Sequence, residues 1–232
     1  MAPASPRSFH PLPRDFYQRP TLEIAPDLLG RYLIVEEGGK LVGGRIVEVE
    51  AYIGEDDPAC HAHLGRTRRN EVMYGPPGRA YVYFTYGNHW MLNVVTEREG
   101  FPAAVLIRAL EPSFDQELIR SRRNVKSERD LTNGPGKLTA ALGINGHDNG
   151  ADLRTSRLLI SREVEAPKEV GKSGRVGVSA GSDLPWRFFD SASPCVSLYR
   201  LGTRASRRTP RTTQRSPVPG VPLMGKEGRG RK

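Results

Sequence analysis

RYLIVEEGGKLVGGRIVEVEAY, residues 31–52, decides the fold. Two runs of alternating side chains, 31–37 and 41–52, flank Gly38-Gly39. Alternation predicts strands, and a Gly-Gly pair tolerates the positive φ angles of a tight two-residue turn, so the stretch reads as a β-hairpin. Residues 80–85 and 89–96 repeat the pattern around Tyr86-Gly87-Asn88, and 103–110 form another apolar strand. A helix is expected over 25–30, with Pro26 in its first turn and Gly30 as its stop. Residues 114–123 read as a second helix, and Gly134-Pro135-Gly136-Lys137 opens a third over 138–142. Short strands are expected at 157–161, 175–178 and 195–199. Strands joined by short turns dominate. The expectation is a single mixed α+β domain with a mostly antiparallel, curved sheet, peripheral helices and a protruding β-hairpin.

This domain is expected to span residues 14–201 of the 232-residue chain. Residues 1–13, rich in Pro, Ser and Ala, bury little and are expected to be disordered. Residues 202–232 are also expected to be disordered. From Leu201 onward the chain has nine Lys/Arg and one Glu, so the tail carries +8 of the +9 net charge. It reads either as a solvated end or as an accessory arm attracted to polyanions. The core therefore has to show nucleic-acid binding through local patches. No run of eighteen apolar residues exists, so no membrane span is expected, and the N-terminus has no apolar h-region of a secretory signal. Two cysteines, Cys60 and Cys195, make no disulfide framework and fit a reducing compartment.

Strict alternation along 45–52 puts Ile46, Glu48, Glu50 and Tyr52 on one face and Arg45, Val47, Val49 and Ala51 on the other, more apolar one. The two glutamates, about 7 Å apart along a strand, read as solubilising charges or as part of a site. Tyr52 favours a site, because an aromatic wall partly desolvates a neighbouring carboxylate. His61 and His63 lack the ligand spacing of a metal centre, so neither metal nor cofactor is expected. Arg66, Arg68 and Arg69 form a basic run beside the aromatic hairpin and are phosphate-contact candidates. Lys137 at a helix start is another. Tyr81 and Tyr83 share a hairpin face, and Tyr86 falls at its tip, where an aromatic serves binding better than packing. Asn93 and Arg108 lie in apolar strands and need partners, from a pocket floor or a structural hydrogen bond. A water-activating carboxylate, flat rings and cations are what an enzyme acting on a nucleobase needs.

Together, RIVEVEAYIGEDDPACHAH, TRRNEVMYGPPGRAYVYFTYGNHWMLNVV, AAVLIRALEP, LTNGPGKLTAALGI and RVGVS resemble the alkyladenine, or 3-methyladenine, DNA glycosylase family over residues 16–200. The resemblance implies a monofunctional enzyme that flips alkylated or deaminated purines (3-methyladenine, 7-methylguanine, hypoxanthine, ethenoadenine) out of duplex DNA. It would hydrolyse the N-glycosidic bond and leave an abasic site for base excision repair. It further implies no metal, no Schiff-base lysine and no strand cleavage. By position Glu50 matches the general base and Arg108 the arginine that helps hold the water. Tyr52, His61 and Tyr83 match the walls around the flipped base, Asn93 the residue disfavouring guanine's exocyclic amine, and Tyr86 the wedge filling the helix gap. Asn88-His89 depart from the mammalian pair after the wedge. Duplex DNA is the expected partner and a monomer the expected state, in a bacterial cytoplasm at the nucleoid or a eukaryotic nucleus. A non-catalytic nucleic-acid-binding module and a hydrolase of free nucleosides are the competing readings; the basic run speaks against the latter, since a nucleoside carries no phosphate.

Overall fold

In the computed structural model, residues 9–197 are described. Helices α1 (Arg14–Tyr17) and α2 (Thr21–Leu28) precede the hairpin β1 (Arg31–Glu37) and β2 (Lys40–Ile53). A long loop leads to β3 (Ala80–Thr85), β4 (His89–Val95) and β5 (Ala103–Phe114). Helices α3 (Gln116–Arg122) and α4 (Pro135–Leu142) follow, then β6 (Leu158–Val164), β7 (Val170–Ser173) and β8 (Arg187–Asp190). The strands form one antiparallel sheet in the order β3-β4-β5-β2-β1-β6, with β7 and β8 attached through β2. β2 spans this sheet. One edge runs along β5, while the other pairs with β1 through its first half and with β8 through Glu48–Glu50.

The α+β expectation and both hairpins hold. Gly38 and Gly39 take φ +57° and +76°, the left-handed pair that a two-residue turn demands. Several boundaries differ. α2 begins at Thr21, so Pro26 sits near its end; the ring is tolerated because the helix stops two residues later. β5 continues to Phe114, and Asp115 caps α3 by accepting from the Leu118 amide, which moves that helix start inward. Residues 175–178 form no strand but a loop on the site face. Residues 195–197 likewise lie outside any strand, and the rest of that expected strand falls outside the described residues. β7 and β8 went unread because each is four residues long. Packing also starts earlier than residue 14: Leu12 is buried in the core, and the Phe9 ring meets Tyr32 and Phe114. Residues 1–8 and the basic tail lie outside the described residues.

The two faces of the sheet do different work. On one, Val49 and Ala51 of β2, Val105 and Ile107 of β5 and Leu92 and Val94 of β4 join Ile24, Leu28, Leu138 and Leu142 of α2 and α4 in the main core. The other face carries smaller clusters around Tyr81 and Val47. Ile46 departs from its expected place. It lies in the main core with Val49 and Ala51, because the strand alternation is interrupted between them. Val47 on β2 is skipped in the register (Ile46↔Leu110, then Glu48↔Ala109), and Arg108 on β5 is skipped next (Glu48↔Ala109, then Val49↔Ile107). Each extra residue is a β-bulge, which re-aims side chains. The facing bulges put Glu48, Glu50 and Arg108 on the same face, opposite the helices.

Leu12→Ala is expected to lose about 2–5 kcal/mol of stability in urea unfolding, the usual range for a buried leucine. A midpoint equal to the native one would return residues 9–13 to the expected disordered end.

Candidate active site

One row across five strands builds the site floor. Cross-strand partners run Tyr81↔Asn93↔Leu106↔Glu50↔Arg187, from β3 through β4, β5 and β2 to β8. Period-two geometry then places Tyr83, Tyr52 and Arg108 beside them on the same face. Over this floor lies a cleft of about 460 Å³ including its open mouth, lined by Tyr52, Ala59, His61, Met73, Tyr81, Tyr83, Asn93 and Val178. That lies in the lower half of the usual range for ligand pockets, and four of the eight lining side chains carry flat rings, which suits one flat ring system.

The 54–78 loop supplies the far wall. Asn70, buried, donates from Nδ2 to the His61 carbonyl (2.8 Å) and the Gly65 carbonyl (2.9 Å), and accepts from the Thr67 amide. It fixes the loop that presents His61. The His61 Nδ1 lies 2.8 Å from the Tyr81 hydroxyl, and its ring meets Tyr83 edge-on at 4.5 Å. Burial, reinforced by the Arg69 charge, lowers the His61 pKa and favours the neutral ring.

The two glutamates differ sharply. Both are fully buried. Glu48 Oε1 accepts from Arg108 Nε (2.8 Å), Arg187 Nε (2.7 Å) and Ser197 Oγ (2.7 Å), and its Oε2 accepts from the Ser197 amide (2.7 Å). A carboxylate offers about four lone-pair sites; Glu48 takes four bonds, three on Oε1 and one on Oε2. Burial resists its charge, but Arg108, Arg187 and the Ser197 amide outweigh burial and hold the carboxyl below the usual glutamate range. Among the described residues Glu50 accepts three bonds: the Val176 amide on Oε1 (2.6 Å), and the Tyr52 hydroxyl (2.8 Å) and Arg108 Nη1 (3.2 Å) on Oε2. Its Oε1 thus has a single donor among them. Burial, then the Glu50 charge and hydrogen bond, push the Tyr52 phenol well above its usual pKa, so it remains a donor.

Tyr52 is braced from behind. The Arg175 guanidinium lies 4.8 Å from the Tyr52 ring centroid and 5.0 Å from that of Trp186. It is buried and holds Asp57 through two bonds (2.6 and 2.8 Å). Burial resists the Asp57 charge, yet the Arg175 hydrogen bond and backbone amides win and lower its pKa. Arg175, Asp57 and Asn70, together with the Val176 amide, belong to the site without having been singled out from sequence. Their signal was weak, since each acts by holding another group in place.

Of the expected site residues, Tyr52, His61, Tyr83 and Asn93 line this cleft; Glu50 and Arg108 are buried and adjoin it through Tyr52, whose hydroxyl donates to Glu50. Asn93 donates to the Tyr81 carbonyl (3.1 Å). The hairpin tip stands apart: Tyr86 is 80 % exposed at φ +53°. Arg68 is exposed with no partner among the described residues. The other cations have protein partners. Arg66 pairs with Glu71 (2.5 Å), Lys137 with Asp130 (3.2 Å), and Arg69 donates to the Phe84 carbonyl (3.1 Å) while lying 5.3 Å from the Tyr83 ring centroid. Arg69 thus ties the basic run to the hairpin.

Residues 15–194 match the family profile described as methylpurine-DNA glycosylase (MPG). Among curated proteins, one from Methanocella arvoryzae is 52% identical over 190 residues, 80% of this chain and 95% of its own length. One from Chlorobaculum parvum is 47% identical over 203 residues, 87% of this chain and 97% of its own. A third, from Carboxydothermus hydrogenoformans, is 52% identical over 188 residues. Each bears the name "Putative 3-methyladenine DNA glycosylase".

Arg175→Gln strands the buried Asp57 charge and is expected to lose about 3–5 kcal/mol in urea unfolding. Because the Asp57 pKa is depressed by folding, its contribution is complete above its unfolded value of about 3.9 and is lost as pH falls through the folded value. The native protein should therefore lose stability more steeply below that pH than the variant. Parallel curves would remove this ion pair from the scaffold of the site.

Proposed function

The chain belongs to the methylpurine-DNA glycosylase family, hydrolases of N-glycosyl bonds in DNA repair, and from that premise we propose that Glu50 activates the water that releases a flipped, damaged purine. The placement of Glu50, whose Oε1 has a single donor among the described residues and whose Oε2 is bonded by the cleft residue Tyr52, is the observation that carries this reading. A water seated there would lose its proton to Glu50 as it attacks the sugar carbon, while the carboxylate's charge favours an oxocarbenium-like sugar. Arg108 fixes the carboxylate and offers further N–H groups to the same water. Alkylated purines carry positive charge and depart readily, so one base suffices for them. Neutral hypoxanthine and ethenoadenine need more help with departure.

Tyr52, His61 and Tyr83 form the stacking walls, a contact open to every base because each has a π-face. Neutral His61 adds a flat ring without charge repulsion toward a cationic lesion. Asn93 on the cleft floor opposes an exocyclic amine at the guanine position. Tyr86, preset in the left-handed region on an exposed tip, fills the space the flipped nucleotide leaves. Arg68, without a partner among the described residues, is the strongest phosphate contact, with Arg66, Arg69 and Lys137 weakened as charges by their protein partners. The enzyme acts on duplex DNA as a monomer, without metal or cofactor.

Two experiments test this. With a duplex carrying a single hypoxanthine, ethenoadenine or 7-methylguanine, native enzyme followed by alkali should cut at the lesion. Glu50→Gln should bind the same duplex yet lower the rate by about 10²–10⁴-fold, the usual worth of a general base. Undiminished cutting by the variant would remove Glu50 as the base, and binding without cutting by the native chain would favour a non-catalytic module. Tyr86→Ala should weaken binding to lesion duplex by about 1–3 kcal/mol, and unchanged affinity would take the wedge role from Tyr86.

A further inference from the structure

Arg108 serves two buried carboxylates unequally. Its Nε meets Glu48 at 2.8 Å, and only Nη1 meets Glu50, at 3.2 Å. An arginine beside a single carboxylate tends instead to a bidentate fork, two parallel N–H···O bonds that use both oxygens. A fork on Glu50 would add a donor to Oε1, which has a single one among the described residues. Glu48 prevents it. It takes four bonds, is buried, and is anchored from three separate segments: β5 through Arg108, β8 through Arg187 and the C-terminal segment through Ser197. It is thus a fixed anion that cannot follow Arg108 if the guanidinium turns.

We propose that Glu48 is a positioning residue: it holds Arg108 by Nε, limits it to one bond on Glu50, and so keeps the remaining acceptor site of Glu50 free for the attacking water. This rests on the reading of Glu50 as the general base. The charged and titratable groups around Glu50 are Tyr52 and Glu48 on β2, Arg108 on β5, Arg187 opposite it on β8, Tyr83 on β3, and Arg175 in the loop that supplies the Val176 amide. Arg175 and Arg187 bond Asp57 and Glu48, while Arg108 bonds both Glu48 and Glu50, so replacing Glu48 leaves every partner of Glu50 among the described residues in place.

The test is single-turnover base release from a duplex with one 7-methylguanine, followed against pH. The leaving base is already cationic, so the acid limb reports the catalytic carboxylate alone. In Glu48→Gln the limb should move down by about one pH unit, as an opposite charge drawn closer does, and the plateau should fall, with affinity for the lesion duplex within about twofold of native. Removing the Glu48 charge would by itself lower the limb somewhat. Arg108→Lys separates the effects, because an ammonium keeps the charge but cannot fork. In that background Glu48→Gln should move the limb less and leave the plateau in place. Equal shifts with and without the guanidinium overturn the proposal, as does an unmoved limb. If Glu48→Gln fails to fold, Ser197→Ala, which removes one of the four anchors, should shift the limb the same way by a smaller amount, and no shift overturns the proposal. Activity in Glu50→Gln sinks the general-base reading itself. An inactive Glu50→Gln with an unmoved Glu48→Gln limb sinks only the role given to Glu48.

Discussion

A buried layer of charge has to balance. Glu48, Glu50 and Asp57 lie inside this protein together with Arg108, Arg175 and Arg187. Transferring any one of them from water without partners would cost many kcal/mol. The requirement is met in a set, three carboxylates against three guanidinium groups, with backbone amides of Val176 and Ser197 completing the hydrogen bonds. Everything near the cleft is arranged around that balance. The facing bulges of β2 and β5 turn Glu48, Glu50 and Arg108 to one side, β8 brings Arg187 across from Glu50, and the 174–181 segment lays Arg175 behind Tyr52.

That layer also explains the division of the sheet. Helices and aliphatic side chains fill one face and supply the hydrophobic stabilisation. The opposite face is free to hold a polar site because stability does not depend on it being apolar. Two glutamates two residues apart can then differ in kind. Glu48 takes four bonds from Arg108, Arg187 and Ser197, while Glu50 takes three from Tyr52, Arg108 and Val176 among the described residues. Environment, rather than residue type, separates the two, as in other enzymes that pair carboxylates.

Much of this was legible in the sequence because the signals were local. Gly38-Gly39 and the alternating runs around it predict the first hairpin, and Tyr86-Gly87-Asn88 predicts the tip of the second. Glu50 and Tyr52 could be assigned to one face from period two alone. Ile46 could not, because a bulge leaves no mark in the residues that form it, and its effect is set by pairing with β5. The helix bounds slipped where capping decided them: Asp115 is a single side chain whose partner is three residues away. Arg175, Asn70 and Asp57 escaped notice for a different reason. A basic or amide residue in a loop looks the same whether it faces water or braces a wall, and only the folded chain brings Arg175 to Asp57, 118 residues earlier. The resemblance of the long blocks carried the residue roles further than pattern reasoning could.

The Glu48 anchor has a bearing on synthesis. Ser197, which supplies two of its four bonds, stands near the end of the domain, and Arg187, which supplies another, comes only ten residues before it. A nascent chain with its first hairpin complete still holds a glutamate that no cation or amide has reached. Until residue 197 has been made, burying that strand face would leave Glu48 short of three of its four bonds, so the charge balance of this layer is completed only by the last part of the described chain to be synthesised.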